Sequence, residues 1–453
     1  MSRAIDAAAR NRVYSAIATA LTAAATPTSL VMGASRPVLF GPDGNPLPRV
    51  PAISPDSWQY RRTGAQLKGS LKTWRPQALG TDAVEPQAVI DAESEVYERS
   101  YSNVHRGVHH LSMLATTAYE GARAKVQRFL GAGESREIVL LRGTTEAVNL
   151  VAWSYGRKQV GPGDEVLVTG LEHHSNIVPW QMLCEEKGAT LRVAPIDDAG
   201  EVDVAAFERL LSPRTRIVSV AHVSNALGTV NPVRRMTELA HAAGAVVMVD
   251  GAQATPHLAV DVRAIGCDFY AFSGHKLYAP MGIGVLYGKE EWLAKLPPYQ
   301  GGGHMIRDVT FARTEYDAPP RKYEAGTPNV EGAVGLAAAL DYVERIGLAA
   351  IGAHEAALLD YATARVGEID GLRVIGTARE KGAILSFVME GFTAQEVGTV
   401  LDRHGVAVRS GHHCALPAMR RFGIEGTARA SFALYNDRED VDQLIGALQA
   451  VRR

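Results

Sequence analysis

Four short stretches of the chain combine residue types that do chemistry rather than packing. The run DFYAFSGHK ends on Lys276, just past an apolar strand. A lysine there is most often an ordinary exposed charge, but this one has company. VVMVDGAQ puts Asp250 at the end of a second apolar strand, where a carboxylate needs a partner to offset its desolvation. RSGHHCALP sets Cys414 among His412, His413 and Arg409, neighbours that favour a thiolate. TARASFALYN places Arg429 inside a strand, a position suited to a bidentate clamp on a carboxylate.

A lysine able to form a Schiff base and an aspartate able to hold a protonated ring nitrogen are the pair that pyridoxal 5′-phosphate (PLP) requires. Its phosphate needs a cradle. IVLLRGTTEAVNLVAW supplies one: a strand, a turn at Gly143, then Thr144 and Thr145 opening a helix whose free N–H groups attract an anion. A helix N-cap explains the threonine pair equally well. Ser273 and His275 add donors, and LEHHSN offers His173, which can lie on a pyridine ring and shuttle protons. A competing reading makes a zinc site from His173, His174, His412, His413 and Cys414. Structural zinc sites show tighter spacing than this, so no metal is expected. Cys184 and Cys267 read as small buried hydrophobes, and three scattered cysteines point to a reducing compartment.

The elements that must position these groups are legible as alternation. Between residues 137 and 289 the runs EIVLLRG, EVLVTG, LRVAPI, RIVSVAHV, VVMVDGA, DFYAFSG and GIGVLYG alternate with helical stretches. That pattern marks a mainly parallel α/β sheet, with ligands collecting at the carboxyl ends of its strands. Longer helices and the strands LRVIG, AILSFVM, VAVRSG and TARASFALY follow residue 330, which predicts a smaller α+β domain. The expected division is an arm over 1–85, a large domain over 86–330 and a small C-terminal domain over 331–453. In the arm, Ile5, Val13, Ile17 and Leu21 share a face of an Ala-rich helix, a better reading than a secretory or transit signal. A Pro/Gly-rich linker without helical or strand period follows.

At 453 residues, 46% hydrophobic and 21% charged, the chain is too apolar to be disordered throughout and too long for one core. Its net charge of −2 argues against nucleic acid as the main partner. No uninterrupted apolar stretch of about 20 residues predicts a membrane span.

These motifs, with VHRGVH, SNALGT and EAGTPN, give the sequence a strong resemblance to the SufS-type cysteine desulfurases, in the class V aminotransferase family of fold-type I PLP enzymes. The likeness runs from about residue 86 to the C-terminus. The short RSGHHC loop looks like the branch shared with selenocysteine lyases. The resemblance implies a seven-stranded, mainly parallel sheet in a fold-type I PLP-dependent transferase. It makes Lys276 the covalent holder of PLP, Asp250 the partner of the ring nitrogen, Gln253 that of the ring hydroxyl and His173 the residue stacked on the ring. Thr145, Ser273 and His275 match phosphate ligands, and Thr327 matches one given by the partner subunit, which implies a homodimer. Asn225 matches a position beside cofactor and substrate, Arg429 the clamp on the substrate carboxylate, His105 and Arg409 further active-site positions, and Cys414 the nucleophile that accepts sulfur.

The implied reaction converts L-cysteine to L-alanine, with sulfur kept as a persulfide on Cys414 for sulfur mobilisation or iron–sulfur cluster assembly. Selenocysteine lyase and cysteine sulfinate desulfinase remain as alternatives. The sulfur acceptor would be a SufE- or SufU-like protein or a small thiol, and the location cytoplasmic. Some desulfurases of this kind are packaged in encapsulin-type shells through N-terminal extensions, so residues 1–85 are either such a docking segment or an arm covering the enzyme's own dimer. One departure stands out: the family opens with a strand reading YLDxAA, where this chain has TWRPQALGTDAVEP. A faint echo of that strand lies in PVLFGPDGNPLP.

Overall fold

The computed structural model describes residues 30–33, 36–39 and 85–451. Strands β1 (Leu30–Gly33) and β2 (Arg36–Leu39) form an antiparallel pair with Leu30 opposite Leu39, in a compact unit of its own. This corrects the expectation of a linker without strand structure: Leu30-Val31-Met32 and Val38-Leu39 are short apolar stretches that pair across two connecting residues. β2 contains Pro37, Val38 and Leu39 of that echo. The remaining readings of the arm, its helix and its docking or covering role, lie outside the described residues, as does most of TWRPQALGTDAVEP.

In the second unit, all seven expected runs are strands: β3 (Ile138–Leu141), β4 (Glu165–Thr169), β5 (Thr190–Ala194), β6 (Thr215–Ala221), β7 (Val246–Asp250), β8 (Phe269–Ser273) and β9 (Gly284–Gly288). They lie in the order β3-β9-β8-β7-β6-β4-β5. Every neighbouring pair is parallel except those of β9, which runs antiparallel to both β3 and β8. β7, VVMVD, is buried at all five positions, because helices cover both faces and remove any reason for polar alternation. The helices that bear on the site are α1 (Gln87–Glu95), α2 (His110–Phe129), α3 (Thr144–Val151), α4 (Val178–Lys187) and α5 (Val330–Ile346). α2 stops where Gly131 turns left-handed at φ +65°.

A hairpin, β10 (Ile306–Val309) and β11 (Thr314–Tyr316), precedes α5 and carries the exposed Phe311 between its strands. Beyond α5, helix α6 (Leu348–Val366) leads into the smaller sheet. It consists of β12 (Leu372–Ile375), β13 (Ile384–Met389), β14 (Arg409–Gly411) and β15 (Thr427–Ser431), in the antiparallel order β12-β13-β15-β14. In its register Arg409 stands opposite Arg429. Helices α7 (Ala394–Arg403), α8 (Leu416–Arg421) and α9 (Arg438–Ala450) complete this α+β part. Leu385, Phe387, Phe432 and Leu444 belong to its own apolar core. Among the described residues, no helix is long and apolar enough to cross a membrane.

Candidate active site

At the carboxyl ends of β6, β7 and β8 the structure leaves a cavity of about 190 Å³. Thr144, Thr145, His173, Asn225, Asp250, Gln253, Ser273, His275, Lys276, Arg409 and Arg429 all line it. Three more expected site residues lie elsewhere. Cys414 stands beside the lining residue Arg409, Thr327 lines a separate cavity of about 240 Å³, and His105 packs between Glu120 and His304.

The floor of the cavity comes from strand ends. Asp250 is the last residue of β7, and its Oδ1 accepts the Ala252 N–H at 3.0 Å. Burial raises its pKa, and the charge of Lys276, in the single helical turn after β8, pulls it back down. Gly251 is required behind it: a Cβ there would come within 2.1 Å of Tyr270 Cζ. The Tyr270 hydroxyl lies 3.0 Å from Nδ1 of His222. At the opposite end, Gly143 has φ +153°, and a Cβ on it would stand 3.0 Å from Ser273 Oγ, so the start of α3 approaches β8 closely. The Thr144 N–H donates to Ser273 Oγ at 2.9 Å. Hydroxyls and backbone N–H groups meeting at a helix N-terminus form a cradle for a phosphate.

His173 closes one side. Its Nδ1 accepts the Ser175 N–H at 3.1 Å and lies 2.7 Å from Ser175 Oγ. A ring nitrogen that accepts a backbone N–H carries a lone pair, so the neutral ring bears its proton on Nε2. Burial, helped by the charge of Lys276, lowers its pKa to about 4. The turn carrying it is fixed by Glu172, a wholly buried carboxylate that sequence reading missed. Glu172 accepts from Thr169 Oγ1 at 2.5 Å, from Asn176 Nδ2 at 2.6 Å and from the Ala221 N–H at 3.1 Å. Burial nevertheless pushes its pKa up to about 7.

The cysteine loop joins the site through backbone contacts. Asn225 Nδ2 donates to the His413 carbonyl at 2.6 Å, and Arg429 Nη1 donates to the Asn225 carbonyl at 2.6 Å. The His174 N–H donates to the Cys414 carbonyl at 2.7 Å. Arg409 Nη2 reaches Cys414 Sγ at 3.7 Å, a cation placed to steady negative charge on sulfur. Cys184 and Cys267 are buried, with thiols pushed up by burial, as small hydrophobes are.

Of the five residues in the zinc reading, ligand atoms of three, His174, His412 and Cys414, lie within 4.8 Å of one another. Each of the two rings already accepts a backbone N–H, from Leu416 and Cys414 respectively. The sulfur also has the Arg409 guanidinium against it, a cation where a metal ion would have to sit. His173 turns to the cavity instead, and His413 is buried with Nε2 2.8 Å from Thr427 Oγ1.

The cavity residues fit PLP on a further observation: Gln253 Oε1 is buried and has no hydrogen-bond partner of its own. An unsatisfied buried acceptor in the lining, beside a carboxylate and a lysine, is what a ring hydroxyl would complete. PLP is the cofactor these residues would hold.

The profile of the aminotransferase class-V family matches residues 81–444. A probable cysteine desulfurase of Mycolicibacterium paratuberculosis is 54% identical over 387 residues, 85% of this chain and 56% of the relative. A cysteine desulfurase of Synechococcus elongatus is 51% identical over 405 residues, 88% of this chain and 64% of the relative. The chain thus spans less than two thirds of the length of these curated relatives. Among solved structures, the cysteine desulfurase CsdA of Escherichia coli superposes with a TM-score of 0.78 at 40% identity, covering 83% of this chain and 94% of the other.

Proposed function

The chain belongs to the class-V aminotransferase family, and from that premise we propose that it is a PLP-dependent cysteine desulfurase of the SufS type, releasing L-alanine from L-cysteine and keeping the sulfur on Cys414. The observation that carries this reading is the placement of Cys414: a thiol contacted by Arg409 and tied through its own loop to Asn225 and His174, at the edge of a cavity built for PLP. Names borne by relatives at about half identity support it.

When bound, PLP supplies an electron sink for the electrons released at the substrate's α-carbon. The chain's own residues do the rest. Asp250 would hold the ring nitrogen in its protonated form, and Gln253 would meet the ring hydroxyl. Arg429 grips the substrate carboxylate, its fork matching two oxygens. Lys276, which would hold PLP, is placed in the cavity to take the α-proton. His173, neutral at pH 7 with its proton on Nε2, can donate a hydrogen bond from that nitrogen within the cavity. The Cys414 thiolate attacks the substrate sulfur. An S–S bond forms and the substrate's C–S bond breaks; the α-proton taken by Lys276 and the substrate's own thiol proton end on the two carbons, giving alanine with its methyl group and leaving the persulfide as an anion on Cys414. The enzyme sulfur is oxidised to a persulfide and the substrate carbon is reduced, so no outside oxidant is needed.

We assign the acceptor of the persulfide to a SufE- or SufU-like protein or a small thiol, and the route to sulfur mobilisation or iron–sulfur assembly. A homodimer supplying Thr327 across its interface is supported by exposed large apolar residues, Leu111, Met113 and Leu114 on α2 together with Met281 and Phe311. Residues 1–85 are proposed as a docking segment for a shell or partner. Deleting them should then cost partner binding and leave turnover unchanged, whereas loss of the dimer would mark a covering arm.

The experiment is a spectrum of the holoenzyme before and after L-cysteine, with alanine and Cys414 persulfide quantified together. Cys414→Ser should keep the cofactor band and lose persulfide. A serine variant releasing sulfide from L-cysteine at the parent's rate overturns the reading. Retained turnover of L-selenocysteine alone would favour the lyase.

A further inference from the structure

Helix α8 begins two residues after Cys414 and has no cap from its own side chains, since its N-cap residue is Ala415. The first N–H groups of a helix have no partner within it. That of Leu416 instead donates to Nε2 of His174 at 3.1 Å, from a residue 242 positions away in sequence. The backbone N–H of His174 also donates to the carbonyl of Cys414, at 2.7 Å. One residue therefore holds the chain on both sides of Ala415.

What it holds is strained. His413 and Cys414 are consecutive residues in the left-handed region, at φ +52° and +56°. Non-glycine residues keep that conformation only where their surroundings impose it. His413 is fixed by Asn225 Nδ2 on its carbonyl and by Thr427 at its ring. Cys414 has its own N–H on Nδ1 of His412 and its carbonyl on His174. Of these anchors, His174 is the one whose side chain also fixes the helix that follows. Its ring can serve because Nε2 must bear the lone pair that receives the Leu416 N–H, leaving the proton on Nδ1. Burial and the charge of His412 lower its pKa, which keeps that neutral form.

We propose that His174 is a positioning residue for Cys414, capping helix α8 from outside so that the left-handed cysteine loop stays aimed, and coupling that loop to the adjacent His173 in the cofactor cavity. The pairing of two histidines thus divides the work: the first faces PLP and the second holds the nucleophile. The kinetic part of this inference rests on the desulfurase reading; the structural part does not.

The test compares full-length, PLP-loaded His174→Ala and His174→Gln with the parent chain. A glutamine amide oxygen can take the place of Nε2 as acceptor, whereas alanine leaves the Leu416 N–H bare. Hydrogen exchange over residues 412–421 and single-turnover persulfide formation on Cys414 are the two readouts. In His174→Ala, exchange over this segment should quicken roughly fivefold, the scale of a lost cap. Persulfide formation at saturating L-cysteine should slow by a similar factor, with KM and cofactor content unchanged. His174→Gln should recover most of both. Parental exchange in the alanine variant overturns the proposal, as does a glutamine variant with full cofactor content that is no better than alanine. If the parent itself forms no persulfide, the desulfurase reading fails, and the exchange comparison alone decides the cap.

Discussion

Arg123 and Glu324 form a two-pronged ion pair inside the fold: Nη1 donates to Oε1 at 2.6 Å and Nη2 to Oε2 at 2.9 Å, with both side chains almost wholly buried. Glu324 also accepts from the Tyr119 hydroxyl at 3.0 Å and the Leu140 N–H at 2.8 Å, so α2, β3 and the segment leading to Thr327 meet on one carboxylate. Removing one member strands the other charge in the interior. Arg123→Met should cost about 3–5 kcal/mol, seen as a lower midpoint in chemical denaturation. Adding Glu324→Gln to it should recover part of that loss. A single variant as stable as the parent would show that the pair is not closed in solution.

Asp250→Asn removes the one buried carboxylate placed for the cofactor's ring nitrogen. The isosteric amide should still let PLP bind, as judged by bound absorbance. Alanine formation from L-cysteine should fall by about a hundredfold or more, equivalent to about 3 kcal/mol in the barrier. Parental turnover in this variant would remove Asp250 from the mechanism.

Acid should destabilise the protein through histidines that the fold holds neutral. Burial lowers the pKa of His173 and His222 to about 4 and that of His413 to about 3. In the unfolded chain these rings take up protons near pH 6.5, while in the fold they remain neutral. Between the two values the unfolded state binds more protons, so stability rises with pH through that window and is lost as pH falls from about 6.5 toward 4. His222 alone accounts for about 3 kcal/mol of that slope. Thermal midpoints measured from pH 7 to pH 4 should therefore fall more gently in His222→Gln than in the parent. Identical slopes would mean that His222 does not stay neutral in the fold.

Gly251→Ala should damage the cofactor floor by crowding alone. The added Cβ would meet the Tyr270 ring at 2.1 Å, and the strain should cost about 1–3 kcal/mol. Because Gly251 follows Asp250 directly, PLP affinity, measured by cofactor titration into the apo chain, should weaken together with stability. Loss of stability at unchanged affinity would show that the strand end absorbs the strain without moving the carboxylate.

The strands of both sheets were legible because each leaves a contiguous or alternating apolar signature, as in VVMVD and TARAS, whose five positions are all buried. Lys276 and Asp250 were legible because a charge at an apolar strand end is conspicuous. Glu172 and His174 were not. The motif EHH points to His173 and to a zinc reading that includes His174, but the roles of Glu172 and His174 depend on partners, the Ala221 N–H for one and the Leu416 N–H for the other, that lie 49 and 242 positions away. The left-handed turn at His413 and Cys414 was equally hidden, since neither residue type advertises positive φ as glycine does. β1 and β2 escaped notice because four-residue strands beside prolines carry too little periodicity to separate them from linker.

The register that sets Arg409 opposite Arg429 has a bearing on which insertions and deletions this protein can survive. Both arginines line the cavity from neighbouring strands of one sheet, and side chains alternate faces along a strand. A single residue gained or lost within β14 or β15 would turn one guanidinium to the opposite face while leaving its composition intact. Length changes among homologues and in engineered libraries should therefore collect in the exposed turn around Glu425, after α8, and spare these eight strand residues.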